Sequence, residues 1–223
     1  EGKSIFIIIL AKTLSELGKK VLLIDVDLRK PQLHHRLGIN NLKGFSDLFY
    51  NTKINWEDLK QNVKGFQGWD VITSGKEPPN PVTNLSSDKL VEIMNEIKNS
   101  NQYDYVLFDT PPSLGFPDAT LIAKNTDLLL LIVGLNLVPK DLPLKVIKKV
   151  NASGLDISGI VSNSLKFSNI SNQENIDYYS DYLKEKDLGD QKEIQVDNAD
   201  NKFEFFKKVF IQKINQFFEW VDK

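Results

Sequence analysis

The chain has 223 residues, 28 Lys and Arg against 30 Asp and Glu, and no cysteine. That length suits one domain with a substantial core. The balanced charge gives no global field for nucleic acid, and the missing thiols exclude disulfides and thiolate metal sites, as fits a cytoplasmic protein. No apolar run approaches the roughly 18 residues needed to span a membrane; the runs at 5–11 and 128–133 are too short.

The first residues are Glu1-Gly2-Lys3-Ser4. Gly-Lys-Ser closes the phosphate-loop pattern G-x-x-x-x-G-K-[ST], in which Gly admits the backbone to the phosphates, Lys reaches the β/γ-phosphates and Ser ligates Mg²⁺. The first Gly of that pattern and the strand before it are not in the sequence, which also lacks an initiating Met and reads as a fragment. A buried helix is expected from Ser4 to about Leu17, ended by Gly18, its amino end turned to an anion. A buried parallel strand over 20–26 follows, ending in Asp25-Val26-Asp27-Leu28-Arg29. Alternation places Asp25 and Asp27 on one side at the carboxyl end, where open α/β sheets bind ligands. Two carboxylates there suit a divalent metal, or a metal and a base. The only two arginines, Arg29 and Arg36, lie just beyond. They reflect either a Lys-rich composition or guanidinium forks kept for bidentate recognition.

His34 and His35 precede Arg36 in a short segment. Residues 40–68 read as polar, with helical turns around Asp47 and Trp56. Trp69–Thr73 reads as a short strand. It enters the loop Ser74-Gly75-Lys76-Glu77-Pro78-Pro79-Asn80-Pro81, which is not expected to be regular. Leu90, Ile93, Met94 and Ile97 form a helical stripe. A second acid-ended strand spans 104–109. Its Asp109 precedes Thr110-Pro111-Pro112 and is either a Mg²⁺ holder or a turn residue. A helix near 117–124, a strand at 127–133, a helix near 140–151 and a strand at 157–162 complete an alternation that implies a parallel sheet wrapped by helices. Residues 166–200 are polar and aperiodic and read as a linker. The last segment, 201–223, is an amphipathic helix with Phe203, Phe206, Phe210, Ile214, Phe217 and Val221 on one face. That face suits docking on the domain or a partner, and its lysines also suit a membrane surface. The order of loop, acidic strand and second acidic strand points to a nucleotide-phosphate site.

On these segments the chain resembles the cytoplasmic kinase domain of bacterial tyrosine kinases that control capsular and exopolysaccharide synthesis, relatives of the partitioning and cell-division-site ATPases. The likeness covers residues 1 to about 165. It rests on Gly2-Lys3-Ser4, the 18–31 strand with its Asp-x-Asp-x-Arg-x-Pro end, Gly44-Phe45-Ser46-Asp47-Leu48, the 75–81 loop and Leu85-Ser86-Ser87. It continues with Tyr105–Pro112, Pro117-Asp118-Ala119 and Gly159-Ile160-Val161-Ser162-Asn163. The Asp-x-Asp-x-Arg-x-Pro end and the Pro-Pro-Asn-Pro loop single out the kinases. Ile5 departs from the Thr usual after the Ser.

The resemblance implies a P-loop-type parallel sheet flanked by helices, truncated at its amino end within the loop. A nucleotide-binding kinase domain would span 1–165, a tyrosine-containing linker 166–200 and a C-terminal helix 201–223. It implies ATP and Mg²⁺ as cofactors. Gly2 and Lys3 would bind phosphate, and Ser4, Asp27 and Asp109 would surround Mg²⁺. Lys3 and Asp25 would be catalytic, Asp25 accepting the tyrosine proton. Asn163 matches a position near the adenine, and also suits a turn closing its strand. Tyr178, Tyr179 and Tyr182 are the expected phosphoacceptors. The implied partners are a membrane activator or chain-length-determinant segment, upstream or separate, and further copies of the chain. Nucleic acid is not among them. The expected location is cytoplasmic, at the inner face of the plasma membrane. Besides an autokinase regulating polysaccharide export, the sequence admits a partitioning-type ATPase switch and a non-catalytic binding module.

Overall fold

The computed structural model describes residues 2–63, 68–135, 137–139 and 141–163; the expected linker, its tyrosines and the terminal helix lie outside them. Helix α1 spans Lys3–Glu16. It ends where Gly18 takes φ 79° and lets Lys19 N donate back to Leu14 O at 3.0 Å, a left-handed glycine stop.

Strand β1 (Val21–Asp25) is buried at all five positions. It pairs in parallel with β3 (Trp69–Ile72) on one side and with β4 (Tyr105–Asp109) on the other. Buried on both faces, it must be apolar throughout, which is why Val-Leu-Leu-Ile shows no alternation. The two-residue strand β2 (Gln61–Asn62) adds antiparallel to β3, closing the order β2-β3-β1-β4. A separate parallel pair joins β5 (Leu130–Gly134) to β6 (Gly159–Asn163). Four of five residues in β4, and four of five in β5, are only half-buried. Among the described residues each of these strands is paired on one side only. A groove beside β5 is lined by Lys3, Thr110, Pro112, β5 itself and the residues Val138, Leu142 and Val146.

The remaining helices are α2 (Leu33–Leu37), α3 (Pro81–Leu85), α4 (Asp88–Asn99), α5 (Asp118–Ala123) and α6 (Asp141–Ala152). Two 3₁₀ turns, Phe45–Phe49 and Trp56–Leu59, fall where helical turns were expected. In α4 the stripe Leu90, Ile93, Met94 and Ile97 is buried. With Leu22, Ile24, Phe45 and Ile72 it forms the main core. At about 1.5–3 kcal/mol per buried large apolar side chain, this stripe and not helix propensity holds α4 in place.

Two expectations are corrected. Helix α1 is not buried along its length: Ile5 is 47% exposed and Phe6 to Leu10 are half-buried, with burial confined to Ala11, Thr13 and Leu14. Its apolar run, residues 5–11, goes all the way round the helix, and burial is reached only at the last of these residues. The 74–81 loop is irregular only to Asn80. There the Asn80 carboxamide accepts Thr83 N at 3.2 Å, and Pro81 starts α3. Proline at the first helical position gives up a donor that would have no intrahelical partner.

Candidate active site

Because β1, β3 and β4 are parallel, their carboxyl ends meet at one edge of the sheet. Asp25 and Asp109 are register partners there, and Val26 N donates to Asp109 O at 2.8 Å. The chain leaves β1 in a turn organised by its own acids. Asp25 Oδ1 accepts Asp27 N at 3.1 Å and Oδ2 accepts Leu33 N at 3.2 Å. Asp27 Oδ1 then accepts Arg29 N at 3.3 Å and Lys30 N at 2.9 Å. Short acidic side chains favour such turns because they reach backbone amides a few residues on. Asp25 and Asp27 are thus brought together as predicted, but by a turn, since the strand stops at Asp25.

The amino end of α1 faces these acids. Gly2 caps the helix with φ 86° and ψ 22°, and Phe6 N donates to Gly2 O at 2.8 Å. The Ser4 hydroxyl bonds the Asp109 carboxylate, and the Lys3 charge acts on the same group. Asn163, at the end of β6, lies against Gly2: a Cβ on Gly2 would stand 2.6 Å from its Nδ2. Gly2, Lys3, Ser4, Asp25, Asp27, Asp109 and Asn163 therefore converge. Tyr178, Tyr179 and Tyr182 lie outside the described residues.

Burial dominates the electrostatics. Asp109 is 3% exposed, and its pKa is raised from 3.8 to about 6. Desolvation is the largest cause, opposed by the Ser4 hydrogen bond and the Lys3 charge and reinforced by Asp27. Asp25, fully buried, is pushed well above the carboxylate range, first by desolvation and then by Asp109; the Leu33 amide opposes this. Acids that repel one another out of water are poised to gain from a cation. Among the described residues no three His, Cys, Asp or Glu side chains have the geometry to hold a metal ion by themselves. The donor set fits Mg²⁺ all the same, since Mg²⁺ keeps waters and takes one or two carboxylates together with phosphate oxygens.

Other residues organise the same edge without having been assigned roles from sequence. Phe45 N donates to Thr73 O at 2.7 Å, Ser46 N to Ser74 O at 2.9 Å and Ser46 Oγ to Lys76 O at 2.7 Å. Gly44 packs so closely on this segment that a Cβ would fall 2.2 Å from both Gly75 N and Thr73 O. The Gly44–Leu48 and Gly75–Pro81 motifs therefore form one knot at the end of β3. Asp118, fully buried, receives Arg29 Nε at 3.0 Å and Nη2 at 3.4 Å. The sharper reading of Arg29, a guanidinium kept for a bidentate contact, is the one realised.

A parallel α/β sheet, a Gly-Lys-Ser helix start and buried acids on adjacent strand ends define a P-loop-type nucleotide-binding protein. The AAA domain family matches residues 1–137. The chain is 34% identical over 168 residues to the tyrosine-protein kinase YwqD of Bacillus subtilis, covering 75% of this chain and 69% of that protein. It is 31% identical over 185 residues to the tyrosine-protein kinase wzc of Salmonella typhi, covering 80% of this chain and 24% of that one. The crystal structure of the VpsO kinase domain superposes with a TM-score of 0.65 at 32% identity, over 70% of this chain and 75% of that chain. The cell division ATPase MinD of Pyrococcus furiosus gives 0.61 at 25% identity, over 80% and 74%. The chain belongs to the AAA domain family and, within it, to the bacterial tyrosine-protein kinases. It spans under a quarter of the length of the first curated relatives it matches.

Proposed function

We propose that this chain is the nucleotide-binding and phosphoryl-transfer part of an ATP-dependent protein-tyrosine autokinase that regulates capsular or exopolysaccharide export. The observation that carries the reading is the convergence of Lys3 and Ser4 on Asp109, itself in register with Asp25. In this reading the backbone at Gly2 and the Lys3 ammonium hold the β/γ-phosphates. Mg²⁺ arriving with ATP would be held by Ser4, Asp27 and Asp109 and would neutralise phosphate charge. The tyrosine oxygen bonds to the γ-phosphorus as the bridging oxygen leaves with ADP, and the tyrosine proton passes to Asp25. Positioning and charge neutralisation supply most of the catalysis in such transfers. Burial and Asp109 raise the proton affinity of Asp25, and a cation held beside it would lower it again and free the carboxylate to accept. Its carboxylate is buried and is oriented by the amides of Asp27 and Leu33. Asn163 would sit beside the nucleotide, and Tyr178, Tyr179 and Tyr182 would accept phosphate from neighbouring copies of the chain. The half-buried residues of β4 and β5 would suit a further parallel strand packed against them. The partner would be a membrane activator, upstream or separate, which would hold the domain at the cytoplasmic face of the plasma membrane.

The enclosure of Asp25 and the likeness to a cell division ATPase favour a second reading, a nucleotide switch that phosphorylates nothing. Incubating the full-length protein with its activator and Mg-ATP and mapping phosphotyrosine by mass spectrometry decides between them. Phosphotyrosine establishes the kinase; ADP release without it establishes the switch.

A further inference from the structure

Arg29 and Asp118 are 89 residues apart in sequence and join two segments that both leave the acidic edge of the sheet. The first segment carries Asp27 and the second follows Asp109. Strand pairing holds them together only as far as Asp25 and Asp109, with one more bond from Val26 N. Beyond that point the Arg29 fork grips Asp118, and its guanidinium lies 4.2 Å from the centre of the Phe116 ring. From the other side, Lys149 on α6 donates to Ser113 O at 2.9 Å and to Phe116 O at 3.3 Å. The 113–118 segment is therefore clasped between the turn after β1 and the helix between β5 and β6. The Arg29 backbone amide, with that of Lys30, also bonds the Asp27 carboxylate, so the side-chain and main-chain contacts of Arg29 act on the same turn.

We infer that Arg29 and Asp118 are positioning residues: their ion pair holds the Asp27 turn and the post-Asp109 segment in the one relative placement in which both carboxylates can share a cation with bound nucleotide. This rests on the nucleotide reading above. Asp118 is fully buried while Arg29 is 21% exposed, so losing Arg29 leaves a buried acid without its counter-charge, and losing Asp118 releases the Arg29 fork. Such a loss is transmitted to the turn through Arg29 itself. Lysine at 29 keeps the charge but not the planar fork that contacts both carboxylate oxygens.

The test compares full-length wild type with Arg29→Lys, Asp118→Asn and the double variant. ATP affinity is titrated against Mg²⁺ concentration, and amide hydrogen exchange is followed in metal-free protein. The Mg²⁺ concentration for half-maximal tightening should rise about tenfold in each single variant, as for residues that orient metal ligands at one remove. Metal-free ATP affinity should stay within about twofold. The double variant should be no worse than either single one, because the partners act as a unit. In metal-free Asp118→Asn, the amides of Lys30 and Leu33 should exchange about tenfold faster while those of Ile93 and Met94 hold. An unchanged Mg²⁺ midpoint with unchanged exchange overturns the inference, as does equal loss of ATP binding with and without Mg²⁺, which marks a purely structural pair. Absence of Mg²⁺-dependent ATP binding in wild type overturns the nucleotide reading instead, and the exchange measurement still decides whether the clasp holds the turn.

Discussion

Replacing Asp109 with Asn should make the metal-free protein more stable at neutral pH while removing its response to Mg²⁺. Asp109 is buried beside Asp25 and Asp27, and its pKa rises from 3.8 to about 6. The folded state therefore holds the Asp109 proton more tightly than the unfolded chain does. Its contribution is fully present below pH 4 and is lost as pH rises to about 6, so above that the ionised carboxylate is a liability. At about 1.4 kcal/mol for each tenfold change in proton affinity, the liability reaches about 3 kcal/mol at pH 7. Asn keeps the shape and the hydrogen bond to Ser4 without the charge. It also relieves Asp25, whose pKa is raised by Asp109 as well as by burial. The assay is urea unfolding with chelator present, at about pH 7 and about pH 4. The variant should gain up to about 3 kcal/mol at the higher pH and little at the lower, where the folded wild type is protonated and the unfolded chain is about half so. A loss of stability at pH 7, or a gain of the same size at both pH values, would refute the electrostatic reasoning.

Gly44→Ala should destabilise the fold by about 3 kcal/mol or more, because the new Cβ lands 2.2 Å from Gly75 N and Thr73 O, both backbone atoms that cannot swing aside; a chemical denaturation midpoint within error of wild type would contradict this. Ile93→Ala should cost about 2–5 kcal/mol by opening a cavity in the buried stripe of α4, read from the same unfolding curves. Replacing Tyr178, Tyr179 and Tyr182 together with Phe should remove most phosphate incorporation while leaving ATP affinity unchanged. Phosphopeptides mapping elsewhere would exclude these tyrosines as acceptors.

What could be read from the sequence depended on the range of the interaction. Asp25 and Asp109 stood out because each ends an apolar run, and that local pattern places an acid at the carboxyl end of a buried strand. The α4 stripe was legible for the same reason, its period matching the buried face. Asn80-Pro81 carries a helix-start signal, a capping side chain followed by proline, that the surrounding prolines of the loop mask. The apolar run of α1, residues 5–11, states a demand for cover, whereas its exposure is set by which elements lie against it. Strand β2, two polar residues long, has no periodicity to detect. The Arg29–Asp118 pair was out of reach as well: its members are far apart in sequence, and only the chain topology brings them within 3.0 Å.

The most direct test of the site is a calorimetric titration of ATP into the full-length protein, wild type against Lys3→Ala, with Mg²⁺ and with chelator. If Gly2, Lys3, Ser4 and the buried acids form the nucleotide site, wild type binds ATP more tightly with Mg²⁺ and Lys3→Ala loses that binding while remaining folded. Equal ATP binding by the two proteins would place the phosphates elsewhere and remove the basis for the kinase reading.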